Sequence, residues 1–398
     1  MTALIEKTEK LIRDMRWRAL HYLQPKKAGR DKETYGFNSK KSAPVVEELK
    51  VFESRMAELI QNIEFDERTN DFQKELARDL KNVNSDDHLV VKADKTSNFY
   101  RMKPEEYKQL LDKNIQKTYK KAEKKHEEQI NKEAKAIAEE LGLADRVEAM
   151  ARRDAFITLK DHKANFQNAP TCRLINPTKS EIGKMAKQIL QKIVKNTAVA
   201  TKVNLWRNTN SVLEWFNAIE NKNSAYFVCF DIVDFYPSIT EKLLSDAIEF
   251  ATRHANIAPT DIEIIMHSKK TLLFSGDIPW VKKDTHSGSF DVTMGSYDGA
   301  ETCELVVVYM LAQLKNFCGN TIGLYRDDGL AVLHETPRTI ERIKQQICQL
   351  FARNGLRITI EANKKVVNYL DVTLDLNSGK HHPFFESRQR THLCTRQK

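Results

Sequence analysis

The chain has 398 residues, 41% of them hydrophobic and 30% charged, so it carries enough apolar material for a sizeable core, and a disordered chain is set aside. Sixty-four Lys and Arg against 55 Asp and Glu leave a net charge of +9, a moderate excess that suits a polyanionic partner. The longest apolar stretch, residues 303–312, contains Glu304 and falls short of the ~20 residues a bilayer crossing needs, so no membrane partner is expected.

In chain order, residues 1–85 alternate charged and apolar positions with few breakers, which predicts helices flanking a loop over 25–42. Val51, Met56, Leu59, Ile60 and Ile63 fall at helical spacing and predict a core-facing stripe. Residues 102–150 are rich in Lys and Glu. There Lys120, Lys121, Lys124 and Lys125 share one helical face, which the neighbouring Glu123, Glu127 and Glu128 mark as solvated. The apolar runs 155–159 and Cys172–Ile175 predict a hairpin with a long polar loop. A helix follows over 181–194, with Ile182, Met185, Ile189, Leu190 and Ile193 on one side. Residues 226–230 read as a buried strand that delivers Asp231. Ser238, with Glu241 three places on, predicts a capped helix start.

Residues 300–314 predict an apolar helix. The runs 321–325 and 330–333 predict two strands around the tight turn Arg326-Asp-Asp-Gly329. A last helix carries Ile340, Ile343, Ile347, Leu350 and Phe351 and stops at Asn354-Gly355, after which 356–361 alternates at period two as a half-buried strand does. Mixed strand and helix order with hairpins predicts an α+β fold. No basic, apolar leader follows Met1, and the six cysteines (172, 229, 303, 318, 348, 394) form no CxxC pair. An intracellular chain with reduced thiols, nuclear or cytoplasmic rather than secreted, is expected.

The chemistry lies in the acids. Asp231 follows five apolar or aromatic residues, and Asp327 and Asp328 sit at a hairpin tip fed by another apolar run. Two unit charges ~4 Å apart repel by about 4 kcal/mol at an effective dielectric near 20, so gathered carboxylates call for a counter-charge. A hard divalent cation with oxygen ligands supplies it. A strand-borne acid and a later acid pair therefore fit a two-metal phosphoryl-transfer site.

The segment Phe230-Asp-Ile-Val-Asp-Phe-Tyr-Pro-Ser-Ile239 resembles the first palm motif of reverse transcriptases, and Tyr325-Arg-Asp-Asp328 resembles their Tyr-x-Asp-Asp hairpin. Lys92-Ala-Asp-Lys95 and Phe156-Ile-Thr-Leu-Lys-Asp-His-Lys163 resemble fingers motifs of Penelope-like retroelements, and Arg173-Leu-Ile-Asn-Pro177 the fingers strand that follows. Residues 280–296, ending Met294-Gly-Ser296, are similar to the palm segment before the second Asp motif. Asn368-Tyr-Leu-Asp371 is similar to the Phe-Leu-Asp signature after the palm.

The resemblance implies an RNA-directed DNA polymerase of a mobile retroelement with a right-hand palm, an antiparallel sheet packed on helices. It divides the chain into a helical N-terminal extension (1–85), fingers (86–200), the palm (201–375) and an irregular tail (376–398), with a thumb missing or truncated. Asp231, Asp327 and Asp328, with the Ile232 carbonyl, would hold two Mg²⁺ ions, for which Mn²⁺ can substitute. Lys160, Lys163 and Arg173 would grip the incoming triphosphate. Tyr236 would exclude a ribose 2′ hydroxyl, Gly295 would let the backbone approach the nascent base pair, and Lys364 or Lys365 would protonate pyrophosphate. The implied partners are an RNA template, a DNA primer and dNTPs; no protein partner is inferable. Two other readings stand beside this one, an RNA-dependent RNA polymerase and a truncated, non-catalytic nucleic-acid-binding relic.

Overall fold

The computed structural model describes residues 2–23, 35, 43–63, 71–84, 87–148, 150, 152–163, 165–166, 168–283 and 289–384. Helices α1 (Thr2–Leu23), α2 (Lys50–Gln61) and α3 (Asp71–Asn84) come first, then β1 (Leu89–Lys92), β2 (Phe99–Met102), α4 (Pro104–Thr118), β3 (Tyr119–Lys121) and α5 (Lys124–Glu140). Strands β4 (Phe156–Leu159) and β5 (Cys172–Ile175) precede α6 (Ile182–Thr201), β6 (Asn204–Leu205), α7 (Thr209–Asn217), β7 (Tyr226–Val233) and the single-turn α8 (Phe235–Ser238). Next are α9 (Glu241–Thr252), α10 (Pro259–His267), β8 (Leu273–Ser275), β9 (Ile278–Lys282) and α11 (Gly299–Cys318). The last elements are β10 (Ile322–Tyr325), β11 (Asp328–Leu333), α12 (Pro337–Arg353), β12 (Arg357–Lys364), β13 (Val366–Tyr369), β14 (Val372–Asp375) and β15 (His381–Pro383).

Two compact units result. One comprises Met1–Thr118, Asn131–Ala149 and Phe156–Ile175; the other comprises Tyr119–Ile130, Met150–Ala155 and Asn176–Lys398. In the first unit, β1 pairs with β2 and β4 with β5, both antiparallel, and a bridge between Ala93 and Leu159 links the two ribbons. Arg16 of α1 donates from Nε to Glu53 of α2 at 2.6 Å. The stripe expected on α2 is not core: Val51 is 66% exposed, Leu59 63% and Ile63 41%. Helical spacing gathers these residues on one side without supplying anything to cover that side. Of the loop expected over 25–42, only residue 35 lies among the described residues.

The second unit is built on a five-stranded sheet in the order β12-β7-β11-β10-β6. Side chains alternate across each strand, so β7 shows Val228, Phe230 and Ile232 to one face and Phe227, Cys229 and Asp231 to the other. The first set meets helices. Phe230 packs on Phe351 of α12 with ring centroids 5.3 Å apart, and α11 is buried along most of its length. On the second face, Phe227, Leu330 and Val332 join Val212 and Phe216 of α7 and Tyr369 and Leu374 of the β13-β14-β15 sheet in one buried cluster. Fully burying a side chain of this size contributes about 1.5–3 kcal/mol. That cover stops short of Asp231, which is exposed.

Several boundaries differ from expectation, each for a local reason. Tyr119, Lys120 and Lys121 pair with Lys282, Val281 and Trp280 as a strand instead of sharing a helical face, and α5 begins only at Lys124. The helix expected over 181–194 runs on to Thr201, where Lys202 turns left-handed (φ 51). Ser238 closes α8, its hydroxyl donating to the Asp234 carbonyl at 2.8 Å. The cap of α9 is Thr240, whose side chain accepts from the Leu243 N–H at 3.1 Å. The stretch read as an irregular tail contains β15, paired with β14; residues 385–398 lie outside those described.

Candidate active site

The Asp-Asp-Gly segment is not itself the turn. Tyr325 pairs with Asp328, so Arg326 and Asp327 alone make the loop, and Arg326 takes the left-handed backbone at φ 55. Asp328 is thereby the first residue of β11, directly opposite Asp231 of β7. The Ile232 N–H donates to the Asp327 carbonyl at 3.0 Å, the bond that flanks a non-hydrogen-bonded pair. Asp231 and Asp328 thus form the narrow pair of the ladder, with Cα atoms about 4.5 Å apart and side chains on the same face. Thr359 of β12 lies on the far side of Asp231, so one row across the sheet reads Thr359, Asp231, Asp328, Tyr325.

Gly329 follows for a packing reason. It pairs with Phe230, and a β-carbon there would lie 2.1 Å from the Phe230 ring. On the same face of the sheet as the acids, the Tyr369 hydroxyl donates to the Asp328 carbonyl at 2.7 Å. Burial pushes that hydroxyl well up, with Asp328 adding, so it stays protonated. The Tyr369 ring stands edge-on to Trp206, centroids 5.6 Å apart.

Tyr236 is half-buried beside this hairpin. Burial raises its hydroxyl most; Cys303 and Asp327 add to the rise and Arg326 opposes it. Its ring lies 3.2 Å from where a β-carbon on Gly299 would sit, at the start of α11. That start is pinned by Asp298, which is buried with the Lys269 ammonium and accepts the Ser268 hydroxyl at 2.7 Å. Gly295 takes φ 115, a conformation closed to most side chains.

The two lysines expected near the acids are elsewhere. Lys364 pairs with Phe227, four residues up β7 from Asp231, a separation of about 13 Å along a strand. Lys365 donates to the carbonyls of Asn223 and Ala225 at 2.8 and 2.6 Å and lies over the Tyr226 ring. The bulged, longer course of β12 carries both to the far end of the sheet.

In the first unit, the resembling segments converge. Arg173 of β5 sits opposite Thr158 of β4 and donates from Nη1 to Asp94 at 3.0 Å. Lys160 continues the hairpin, its N–H donating to the Thr171 carbonyl at 2.8 Å, and the Lys163 N–H donates to the Lys160 carbonyl at 3.2 Å. Asp161 accepts from Thr96 at 2.5 Å, Asn98 at 2.9 Å and Tyr100 at 3.0 Å. Burial alone pushes the Asp161 carboxyl up, but these three donors together hold it below its usual range. Sequence reasoning missed Tyr369 as an anchor of the acidic hairpin and, within the first unit, Asp94 and Asp161 as partners that hold the β4–β5 ribbon. Asp94 and Asp161 stood inside quoted motifs, whereas no local signal pointed to Tyr369.

Among the described residues, no three or more His, Cys, Asp or Glu side chains form a group that could hold a metal ion. The donors at the narrow pair are oxygen only, the chemistry of a hard cation. Magnesium is usually held by one or two carboxylates completed by water and substrate phosphates, without an all-protein cage. The residues present fit that kind of site.

A mainly antiparallel sheet backed by helices, with β6 its one parallel edge and an acid pair where the central hairpin turns, has the palm fold of polymerases. In particular, the chain is similar to apo telomerase from Candida tropicalis, with a TM-score of 0.56 at 11% identity over 86% of this chain and 68% of that one. The same telomerase truncated from its C-terminal domain gives 0.53 at 13% identity, covering 93% of this chain and 86% of that one. Telomerase from Candida albicans, in complex with a TWJ fragment of telomeric RNA, gives 0.51 at 11% identity over 80% of this chain; the match spans 59% of that chain. No protein-family model matches the sequence, and no curated protein matches it. Among the described residues, no helix is long and apolar enough to cross a membrane.

Proposed function

We propose that this chain is an RNA-directed DNA polymerase of the retroelement type, extending a DNA primer on an RNA template with dNTPs. The observation that carries the reading is the narrow pairing of Asp231 with Asp328 at the open end of the sheet, with Asp327 in the adjoining turn. Asp231, Asp327 and Asp328, with the Ile232 carbonyl, would hold two Mg²⁺ ions. When bound, the ions would activate the primer 3′ hydroxyl and neutralise the leaving pyrophosphate.

The chain's own residues do the rest. The fixed ladder register holds the carboxylates in place before substrate arrives, so little is lost to reorganisation in the reaction. Tyr236, packed beside the hairpin, occupies the space a ribose 2′ hydroxyl would need and so favours deoxynucleotides by a clash. Lys160, Lys163 and Arg173 bind nucleotide phosphates in this reading. Arg173 is oriented by Asp94, and a planar guanidinium suits two-point phosphate contact.

The test is primer extension on an RNA template with Mg²⁺, comparing wild type with Asp327→Ala. Loss of a metal-binding carboxylate is expected to lower the rate by about 10³-fold or more, in line with the several kcal/mol of charge stabilisation involved. Equal extension by the two proteins ends the reading. A natural preference for NTPs would instead favour an RNA-dependent RNA polymerase.

A further inference from the structure

Tyr236 and Pro237 belong to α8, a single turn whose carbonyls lack the partners that a longer helix would supply. The Pro237 carbonyl accepts the Lys282 ammonium at 2.6 Å. Lys282 ends β9, its side chain 13% exposed, and it faces one oxygen of the Asp291 carboxylate at 3.5 Å. The other oxygen of Asp291 accepts the Tyr119 hydroxyl, from β3, at 2.6 Å. Burial, with Asp291 adding, holds that hydroxyl well above its usual range, so it remains a donor. A chain of contacts therefore runs from Tyr119 through a buried carboxylate and a nearly buried cation to the peptide next to Tyr236.

Buried ion pairs of this kind are poor sources of net stability, because desolvation offsets the attraction, and well-packed apolar residues often serve as well. What the pair does supply is a cation at one defined point, on the carbonyl that follows Tyr236. On the other side, the Tyr236 ring meets the start of α11 at Gly299. We infer that Lys282, held by Asp291 and Tyr119, is a positioning residue for Tyr236 and thereby sets how strongly the enzyme discriminates between deoxy- and ribonucleotides. The inference rests on the reading of Tyr236 as the sugar gate. The order of action is Tyr119 on Asp291, Asp291 on Lys282, and Lys282 on the backbone that aims the ring. None of the three need touch the nucleotide.

The experiment measures kcat/KM for dNTP and for NTP in primer extension on an RNA template, using the full chain. It compares wild type, Tyr236→Ala, Lys282→Met, Lys282→Arg and Tyr119→Phe. Lys282→Met and Tyr119→Phe are expected to lower the dNTP-to-NTP ratio about fivefold or more, through KM for NTP, with kcat for dNTP changing less than about threefold. Lys282→Arg, which keeps a cation, should hold the ratio near wild type. If Tyr236→Ala lowers the ratio and the other two substitutions leave it unchanged, the role of Lys282 is overturned and the polymerase reading stands. If Tyr236→Ala leaves the ratio unchanged, or no nucleotide is incorporated, the gate reading fails and this inference fails with it. Circular dichroism of each variant accompanies the kinetics. Should Lys282→Met not fold, Tyr119→Phe, which removes a single hydroxyl, decides the matter.

Discussion

Asp231 and Asp328 face each other at the closest spacing an antiparallel ladder offers, and the Asp328 backbone is held by the Tyr369 hydroxyl. The net worth of one such bond is about 0.5–1.5 kcal/mol, so Tyr369→Phe is expected to cut kcat about 2- to 10-fold with little change in KM for dNTP, read by steady-state extension. An unchanged kcat would mean the hairpin holds its place without that contact. At this scale the acids stood out in the sequence, because Asp231 follows five apolar or aromatic residues and Asp327 and Asp328 come soon after another apolar run. Tyr369 was not legible as an anchor. Its partner lies 41 residues away, and a tyrosine in an apolar run looks the same whether or not its hydroxyl finds a distant carbonyl. The misplacement of Lys364 and Lys365 has a similar root, since an irregularity in the ladder between Glu361 and Lys364 leaves no mark in composition.

The acids of the second unit depend on the hairpin of β10 and β11, and the candidate phosphate-binding residues of the first unit on the ribbon of β4 and β5. At the hairpin, Gly329→Ala drives a methyl into the Phe230 ring, which packs in turn on Phe351. Overpacking of this kind costs typically about 1–3 kcal/mol, so denaturant unfolding should show that loss, with extension activity falling too. In the first unit, Asp161 ties the β4–β5 ribbon to β2 and the turn before it through Tyr100, Thr96 and Asn98. Its carboxyl is lowered in the folded chain, so its contribution is fully present above the unfolded aspartate range near 3.9. That contribution fades as pH falls through the lowered folded value. Stability curves of wild type and Asp161→Asn should therefore converge on acidification, and a constant gap between pH 7 and pH 3 would show the carboxylate charge to be irrelevant. Element types were mostly readable from periodicity. The exception at β3 is instructive: Lys120 and Lys121 satisfy helical spacing, yet their strand partners Val281 and Trp280 lie about 160 residues downstream.

For the whole molecule, the net charge of +9 and the proposed polyanionic partners make salt the natural probe. A protein that neutralises 6–10 phosphates loses about 10³- to 10⁵-fold in affinity between 50 and 200 mM salt. Binding of an RNA–DNA hybrid is expected to fall steeply over that range, and a flat response would argue against a phosphate-tracking surface. The α+β class was legible because hairpin signals and apolar helices alternate along the chain. The strand order β12-β7-β11-β10-β6 was not, because sheet order is decided by long-range pairing that single-sequence patterns do not encode. A slip of β11 that sets Gly329 opposite Asp231 would turn Asp328 inward to the helices and leave no side chain in its place on the outer face. Molecules that refold in the wrong alignment should therefore be dead rather than sluggish, and the specific activity of a refolded sample would count the correctly zipped fraction directly.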